Sequence, residues 1–447
     1  MEEYIKKLLE QIRCEKAHSG IEAEIRSHIE DQIEDNMASG MDREEAEKSA
    51  VADMGDPVET GVMLDRIHKP KVAWGMIGLM AVISIIGIVI HNLMGTDTDD
   101  MGYYLTHMSN TMYILGFIFM VIIYYIDYTA IARISKILGA AMIAACVYCM
   151  FWGKYVNGAR IWISLLHFTI SIDSLMLLYI PIYAAIMYQY RNTGLGGFIK
   201  SLLWMICPIV IIFRLPGLTT SIVLAISMMT LLTLAIINGW FKIHKTATLI
   251  GIWSIFIGIP LVAGTVMYVS HMMADYQIMR IKAFLTNSGD ANYLTNILRT
   301  TFYNSKFIGN SGADVISIVP SYNSNYIFTY IAATYGIMAA GLIGCVLAAL
   351  IISIFAIARR QKNQLGMMMG CGSGMAIMVT TVINILVNMG LLPPTRTILP
   401  LISGGGSMIL VMYILVGIVL CIYKYKNIYT SNVVLRKTVF NKSKMFG

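Results

Sequence analysis

The sequence predicts an all-α fold: a polytopic membrane protein with about ten transmembrane helices behind a small N-terminal cytoplasmic helical domain. Three observations carry that expectation. Of the 447 residues 57% are hydrophobic and 13% charged, and the mean hydropathy is +0.67, whereas a soluble chain carries about a quarter charged residues. From Val72 onward apolar runs of ~20 residues, each able to cross ~30 Å of hydrocarbon, follow one another. The charge divides where those runs begin. Residues 1–71 hold 18 of the 26 acids against 10 basic residues, a net −8, and the remainder holds 23 basic residues against 8 acids, a net +15.

In the first segment Ile5, Leu8, Leu9 and Ile12 recur at helical spacing, and Ile21, Ile25 and Ile29 repeat the pattern. A further helix is expected over MDREEAEKSAVADMGDP, with Asp42 as N-cap, Glu45 three residues on, and Gly55 and Pro57 as stop signals. The MGDP turn and the LDRIHKPK exit resemble the permease-prefix domain that precedes some bacterial membrane proteins. MEEYIKKLLEQIR is charged and helical and lacks the apolar core of a cleavable signal, so the first membrane helix is expected to direct insertion.

Spans are expected near 72–94, 107–126, 129–151, 167–189, 197–213, 215–238, 246–269, 326–358, 366–391 and 402–423, followed by a basic tail over 426–447. Short loops on one side carry Arg191 and Lys200, Lys242 and Lys245, then Arg359, Arg360 and Lys362, whereas TDTDDMGYY on the other carries three acids and no base. By the positive-inside rule both termini are expected in the cytoplasm, with the long hydrophilic connection over about 271–324 outside, and the permease-prefix resemblance implies that the membrane is a bacterial plasma membrane. Membrane topology accounts for the charge asymmetry, so the bilayer is the expected partner and nucleic acid is not. The seven cysteines lie mostly inside apolar runs without metal-ligand spacing, and the eight histidines are scattered, so no metal site or disulfide framework is expected.

Several basic residues fall on the expected outer side. Arg160, Arg214 and Arg396 adjoin apolar runs, where an unpaired charge is costly, and a guanidinium matches phosphate oxygens bidentately. Solvated loop charge is the plainer alternative. Asp173 is the one acid well inside an expected span, which makes it a functional candidate unless it only fixes helix packing. Pro393, Pro394 and Pro400 cannot continue a helix and Gly404, Gly405 and Gly406 permit irregular backbone, which at membrane depth is tolerated where it is buried or lines a cavity.

The segments YVNGARIWI, RLPGLTTSIV, AFLTNSGD, VPSYNSNYIF, NILVNMGLLPPT and LPLISGGGSMIL resemble, in order and approximate spacing, the SEDS family (FtsW, RodA and SpoVE) of shape, elongation, division and sporulation. The match is densest at Asn384, Asn388, Gly390, Leu391, Leu392, Pro393 and Thr395, and at Pro400, Ile402, Ser403, Gly405, Gly406 and Ser407. Asn157, Gly158, Ala159, Arg160 and Trp162 are retained from the NGAR motif. The resemblance implies peptidoglycan synthesis: polymerisation of a lipid-linked disaccharide-peptide precursor at the outer membrane face, usually with a single-pass transpeptidase partner. The leaving group is a polyprenyl pyrophosphate, which can bring a divalent cation; no other cofactor is implied. Charge placement and the matched motifs together make Arg160, Trp162, Asp173, Arg214, Pro393, Thr395, Arg396, Ser403, Gly405, Gly406 and Ser407 the expected substrate-binding residues.

The chain departs from that pattern at the chemistry. A motif like PEAHTDFIF reads PSYNSNYIF, so Asn325 stands at the place of the family's catalytic aspartate. An amide cannot serve as a base near neutral pH, although it can donate to and accept from a sugar hydroxyl. The PDLGT-like element has Gly217 where the acid should be, the QPSE-like element has become Ser171, Ile172, Asp173 and Ser174, and Glu59 is the last glutamate of the chain. Three readings follow: a divergent glycosyltransferase, a non-catalytic relative that binds the glycan or regulates a cell-wall enzyme, and a transporter of the precursor. The topology is testable directly. Alkaline phosphatase joined after Asn310 should be active and joined after Lys362 inactive; the reverse pattern refutes the orientation.

Overall fold

The computed structural model describes residues 1–95, 100–156, 159–165, 168–215, 217–271, 278 and 292–429. Four helices open the chain: α1 (Glu2–Glu10), α2 (Glu15–Ala38), α3 (Arg43–Asp53) and α4 (Pro57–His68). They bury Ile5, Leu8 and Ile12 against Ile21, Ile25 and Ile29, the two apolar faces that helical spacing predicts. Asp42 stands at the N-cap of α3, but its side chain makes no cap hydrogen bond. The side-chain cap belongs to α4, where Asp56 accepts from the Glu59 N–H at 3.2 Å and Pro57 occupies the first turn.

The bundle follows as α5 (Trp74–Gly95), α6 (Asp100–Tyr125), α7 (Tyr128–Arg133), α8 (Ser135–Trp152), α9 (Ile172–Leu175), α10 (Tyr179–Tyr188), α11 (Leu195–Arg214), α12 (Leu218–Ile237) and α13 (Lys245–Val269). It continues with α14 (Tyr293–Tyr303), α15 (Val315–Ile318), α16 (Ile327–Tyr335), α17 (Ile337–Arg359), α18 (Gln364–Asn388) and α19 (Gly406–Lys424). Nine helices among the described residues are long and apolar enough to span a membrane. The fourth expected span is the shorter Ile172–Tyr188, which α9, a 3-10 turn over Met176–Leu178 and α10 form in succession. α10, α18 and α19 form the buried centre, whereas no residue of α13 is buried.

Two departures from the expected spans have local causes. The run over 326–358 divides at Gly336, whose φ of 102° is left-handed and whose absent Cβ leaves room for the Phe307 carbonyl, 2.7 Å from where it would lie. The Lys306 and Phe307 carbonyls accept from the N–H groups of Ile337 and Met338, so the break leaves no backbone donor idle. Between α8 and α9 the chain forms a three-stranded antiparallel sheet: β1 (Lys154–Val156), β2 (Ala159–Leu165) and β3 (Phe168–Ser171), with Trp162 opposite Ser171. Its small size leaves the protein helical in class. Pro208 inside α11 frees the Trp204 carbonyl four residues back, and the Tyr179 hydroxyl donates to it at 2.8 Å.

The N-terminal helices are tied to one end of the bundle. Lys16 Nζ lies 2.8 Å from Asp127 Oδ2 and 3.1 Å from the Tyr425 hydroxyl, Tyr429 donates to the same Asp127 carboxylate, and the Lys71 N–H donates to the Lys424 carbonyl at 3.1 Å. Burial pushes the Asp127 carboxyl up, but hydrogen bonds from Lys16, Tyr429 and the Thr129 N–H outweigh it and hold the group below its ordinary value of 3.8. Burial likewise opposes the charge of Lys16, and its hydrogen bonds to Asp127 and Tyr425 raise it above 10.5. The stabilisation from Asp127 is therefore present above 3.8 and lost as pH falls through its depressed value; that from Lys16 is present below 10.5 and lost as pH rises through its raised value. Because Lys16 is half exposed, the contact is worth about 1 kcal/mol or less. The hydrogen-exchange protection factor at the start of α2, with the intrinsic pH dependence of exchange divided out, should stay level between about pH 5 and 9, and Asp127→Asn should speed exchange there severalfold at pH 7. An unchanged rate in the variant would refute the contact.

Candidate functional site

At the end of the bundle opposite the N-terminal helices, α18 stops at Asn388 and α19 starts at Gly406, and the backbone between them is irregular. Leu401 in that segment is buried with a φ of 63°, a conformation a leucine adopts only when its surroundings impose it. The surroundings are visible. The Tyr113 hydroxyl donates to the Leu401 and Ile402 carbonyls at 3.0 and 3.1 Å, and His91 Nε2 lies 3.0 Å from the Ile402 carbonyl. The Gly404 N–H donates to the Asn323 carbonyl at 2.9 Å, and Ser403 Oγ donates to the Ser324 carbonyl and accepts from the Leu399 N–H, both at 2.7 Å.

A second set of bonds holds the segment before α16 to α18. Asn384 Nδ2 donates to the carbonyls of Asn325 and Thr397 at 3.0 and 2.8 Å, and Asn388 Nδ2 donates to the Asn325 carbonyl at 3.1 Å. Asn388 Oδ1 accepts from the Thr329 N–H and hydroxyl at 3.0 and 2.9 Å. Both asparagines are fully buried. Hydrocarbon supplies no donors or acceptors, so non-helical backbone at this depth requires such internal partners.

These segments, the sheet, α9 and the start of α12 enclose a cavity of about 1360 Å³. Asp173 is the one carboxylate and Arg396 the one guanidinium that line it among the described residues. The Arg396 charge and the Thr220 hydroxyl act on the Asp173 carboxylate. Nearby, the Ser407 hydroxyl accepts from the Ser171 N–H and donates to Ser174 Oγ, each at 3.4 Å, which joins the start of α19 to α9. Met94, Met108, Met112, Leu177, Val223 and Ile226 add apolar lining to the cavity. The lining offers apolar contacts, hydroxyl and amide partners and one guanidinium to a ligand.

Of the residues singled out in the sequence, Asn325, Trp162, Asp173, Pro393, Thr395, Arg396, Gly405, Gly406 and Ser407 line this cavity. Arg160, Arg214 and Ser403 do not. Arg160 is exposed on β2, its Nη1 donates to the Phe151 carbonyl at 3.4 Å, and it is not among the residues that line the cavity. Arg214 is exposed in the last turn of α11, where it suits the helix C-terminus. Ser403 is buried and its hydroxyl is spent on the turn. Asp314, the acid nearest position 325 in sequence, caps α15 through the Ser317 N–H and hydroxyl and is not among the lining residues. Asn157, Gly158, His167, Pro216, Asp97, Asp99, Asp275 and Asp290 fall outside the described residues. His91, Thr220 and Ser174 went unrecognised as lining residues; a histidine inside the first apolar run was the signal for one of them.

Removing the bonds that hold the irregular backbone should cost stability in a definite order. Asn388→Ala leaves the buried Thr329 N–H without its side-chain acceptor and removes one of the two amide donors to the Asn325 carbonyl, and should lower unfolding stability in detergent by about 2 kcal/mol or more. Tyr113→Phe should cost about 1 kcal/mol, since the Ile402 carbonyl keeps His91. Equal small losses, read as thermal midpoints, would refute the network's role.

Comparison with known proteins agrees with this architecture. The FtsW/RodA/SpoVE family, described as "Cell cycle protein", matches residues 71–428. A "Probable peptidoglycan glycosyltransferase FtsW" of Aliivibrio salmonicida (strain LFI1238) is 26% identical over 295 residues, which are 63% of this chain and 70% of that one. A "Peptidoglycan glycosyltransferase MrdB" of Helicobacter pylori (strain ATCC 700392 / 26695) is 23% identical over 333 residues, 72% of this chain and 83% of the relative. Among solved structures, a chain from "Structural coordination of polymerization and crosslinking by a peptidoglycan synthase complex" superposes with a TM-score of 0.66 at 17% identity, covering 79% of this chain and 97% of that one. The Thermus thermophilus rod shape determining protein RodA superposes with a TM-score of 0.56 at 17% identity, over 79% and 97% of the two chains. At such identities the structures attest the fold, and the family match attests descent: this multi-pass bacterial membrane protein belongs to the FtsW/RodA/SpoVE family.

Proposed function

We propose that the chain serves peptidoglycan synthesis by taking a lipid-linked disaccharide-peptide precursor into this cavity from the outer leaflet, with both termini in the cytoplasm. The observation that carries the reading is the composition of the cavity wall, which combines one guanidinium, one carboxylate, two amides and several hydroxyls with methionine and aliphatic side chains. A polyprenyl chain suits the apolar lining, a pyrophosphate suits Arg396, and sugar hydroxyls suit the polar groups. Relatives named as peptidoglycan glycosyltransferases and a neighbour from a polymerising and crosslinking complex support the same role and a transpeptidase as partner. Among the described residues no three His, Cys, Asp or Glu gather to hold a metal, so a divalent cation arriving with the precursor would be bound mainly by its phosphate oxygens.

The amide of Asn325 favours a second reading over polymerisation: the chain binds the precursor and regulates a synthase, with the acidic N-terminal domain as its input. The two are separated by an assay with purified protein, lipid-linked disaccharide and a candidate transpeptidase. Native protein should bind precursor and form little polymer, and Asn325→Asp should raise polymer formation about tenfold or more. Robust native polymerisation would remove the regulatory reading, and failure of the native chain to bind precursor would remove both.

A further inference from the structure

Two positions on facing elements of the cavity compete for one point in space. Gly217 stands at the N-cap of α12, and a Cβ there would lie 2.8 Å from Asp173 Oδ1 on α9. The φ of Gly217 is −111°, which any residue adopts, so proximity and not backbone strain excludes a side chain. The Asp173 carboxylate, together with Ile212 Cγ2 at 2.9 Å from the same point, fills the room that a residue at 217 would need, and the flexible Ile212 side chain can give way where a carboxylate takes the place of Asp173. This pairing explains two departures seen separately in the sequence: the acid missing from the PDLGT-like element and the aspartate gained in the QPSE-like element. Two carboxylates at this separation would repel, so the chain has room for one.

The protein leaves this carboxylate with unused capacity. The Thr220 hydroxyl and the Arg396 charge act on it, but Oδ1 is buried without a hydrogen-bond partner among the described residues. A carboxylate accepts hydrogen bonds and repels phosphate, so its natural ligand is a neutral hydroxyl. Arg396 has the opposite preference and favours the pyrophosphate. The pair therefore sorts a ligand that joins a hydroxyl-rich group to an anionic one.

Building on the proposed function, we propose that Asp173 recognises the sugar end of the lipid-linked substrate, its carboxylate accepting a glycan hydroxyl at a site vacated by the side chain of position 217. The test uses the full-length chain in lipid nanodiscs and two fluorescent probes, the lipid-linked disaccharide-pentapeptide and bare polyprenyl pyrophosphate. Asp173→Ala should weaken the sugar-bearing probe about tenfold or more and change the bare pyrophosphate less than about twofold. The double variant Asp173→Ala with Gly217→Asp should recover most of the lost affinity, since it returns a carboxylate to the same point from the other side. Arg396→Gln should weaken both probes.

Equal weakening of both probes by Asp173→Ala would overturn the proposal, because Asp173 would then act only through Arg396 or the fold. An unchanged affinity for the sugar-bearing probe would overturn it as well, and a double variant that recovers nothing would overturn the exchange of positions. If Asp173→Ala does not elute as folded protein, Asp173→Ser carries the same comparison. A wild-type chain that binds neither probe defeats the proposed function itself, whereas a chain that binds both with no selective loss defeats this inference alone.

Discussion

Hydrocarbon offers backbone groups nothing to bond with, and the architecture turns on how this chain meets that constraint where its helices stop. Between α18 and α19 the backbone runs irregularly through the bundle end, and Asn384, Asn388, Tyr113, His91 and Ser403 supply the partners that water would supply in a soluble protein. Those five side chains make a broken backbone compatible with a cavity. Without them the Pro and Gly residues of the segment would only interrupt a helix.

The same bonds couple distant parts of the chain. Asn325 is held through its main-chain carbonyl, so its side chain is left to the cavity and position 325 tolerates a change of side chain without loss of its anchor. That separation between what positions a residue and what the residue presents accounts for an amide standing at the place of the family's acid while the fold persists. At the other end of the bundle Lys16 reaches Asp127 and Tyr425, and Tyr429 donates to the same Asp127 carboxylate, beside the ends of α6 and α19. α6 and α19 pack directly on each other, with Gly116 leaving room for the Tyr413 ring and Gly417 abutting the Met120 carbonyl. Since α19 begins in the cavity wall at Gly406, one packed pair spans the distance from the acidic helices to the site.

Much of this was legible in the sequence, for physical reasons. Helix length against membrane thickness yields the spans, the position of the last glutamate marks where the aqueous domain ends, and Pro393, Pro394, Pro400 and the glycines at 404–406 mark irregular backbone because of what those residues cannot or need not do. Asp173 stood out because an acid in an apolar run is costly. The sheet over residues 154–171 was not legible, since its short strands carry no clear alternation and sit between apolar runs that read as helix. Nor was the break at Gly336, which depends on residues 306–309 passing beside it.

Direction and proximity belonged to the tertiary structure. Composition marks Arg160, Arg214 and Arg396 alike, and only the fold turns Arg396 into the cavity and leaves the other two outside. Ser403 matches a motif residue by residue, and only its bonds to Leu399 and Ser324 assign it to the scaffold. Gly217 and Asp173 are 44 positions apart in the chain, and nothing local to either indicates that they share one site. The sequence by itself determined which parts of this protein lie in the membrane and where the backbone must be irregular, because those follow from each residue's own chemistry. Which side chains meet followed from packing, because a meeting is a property of pairs.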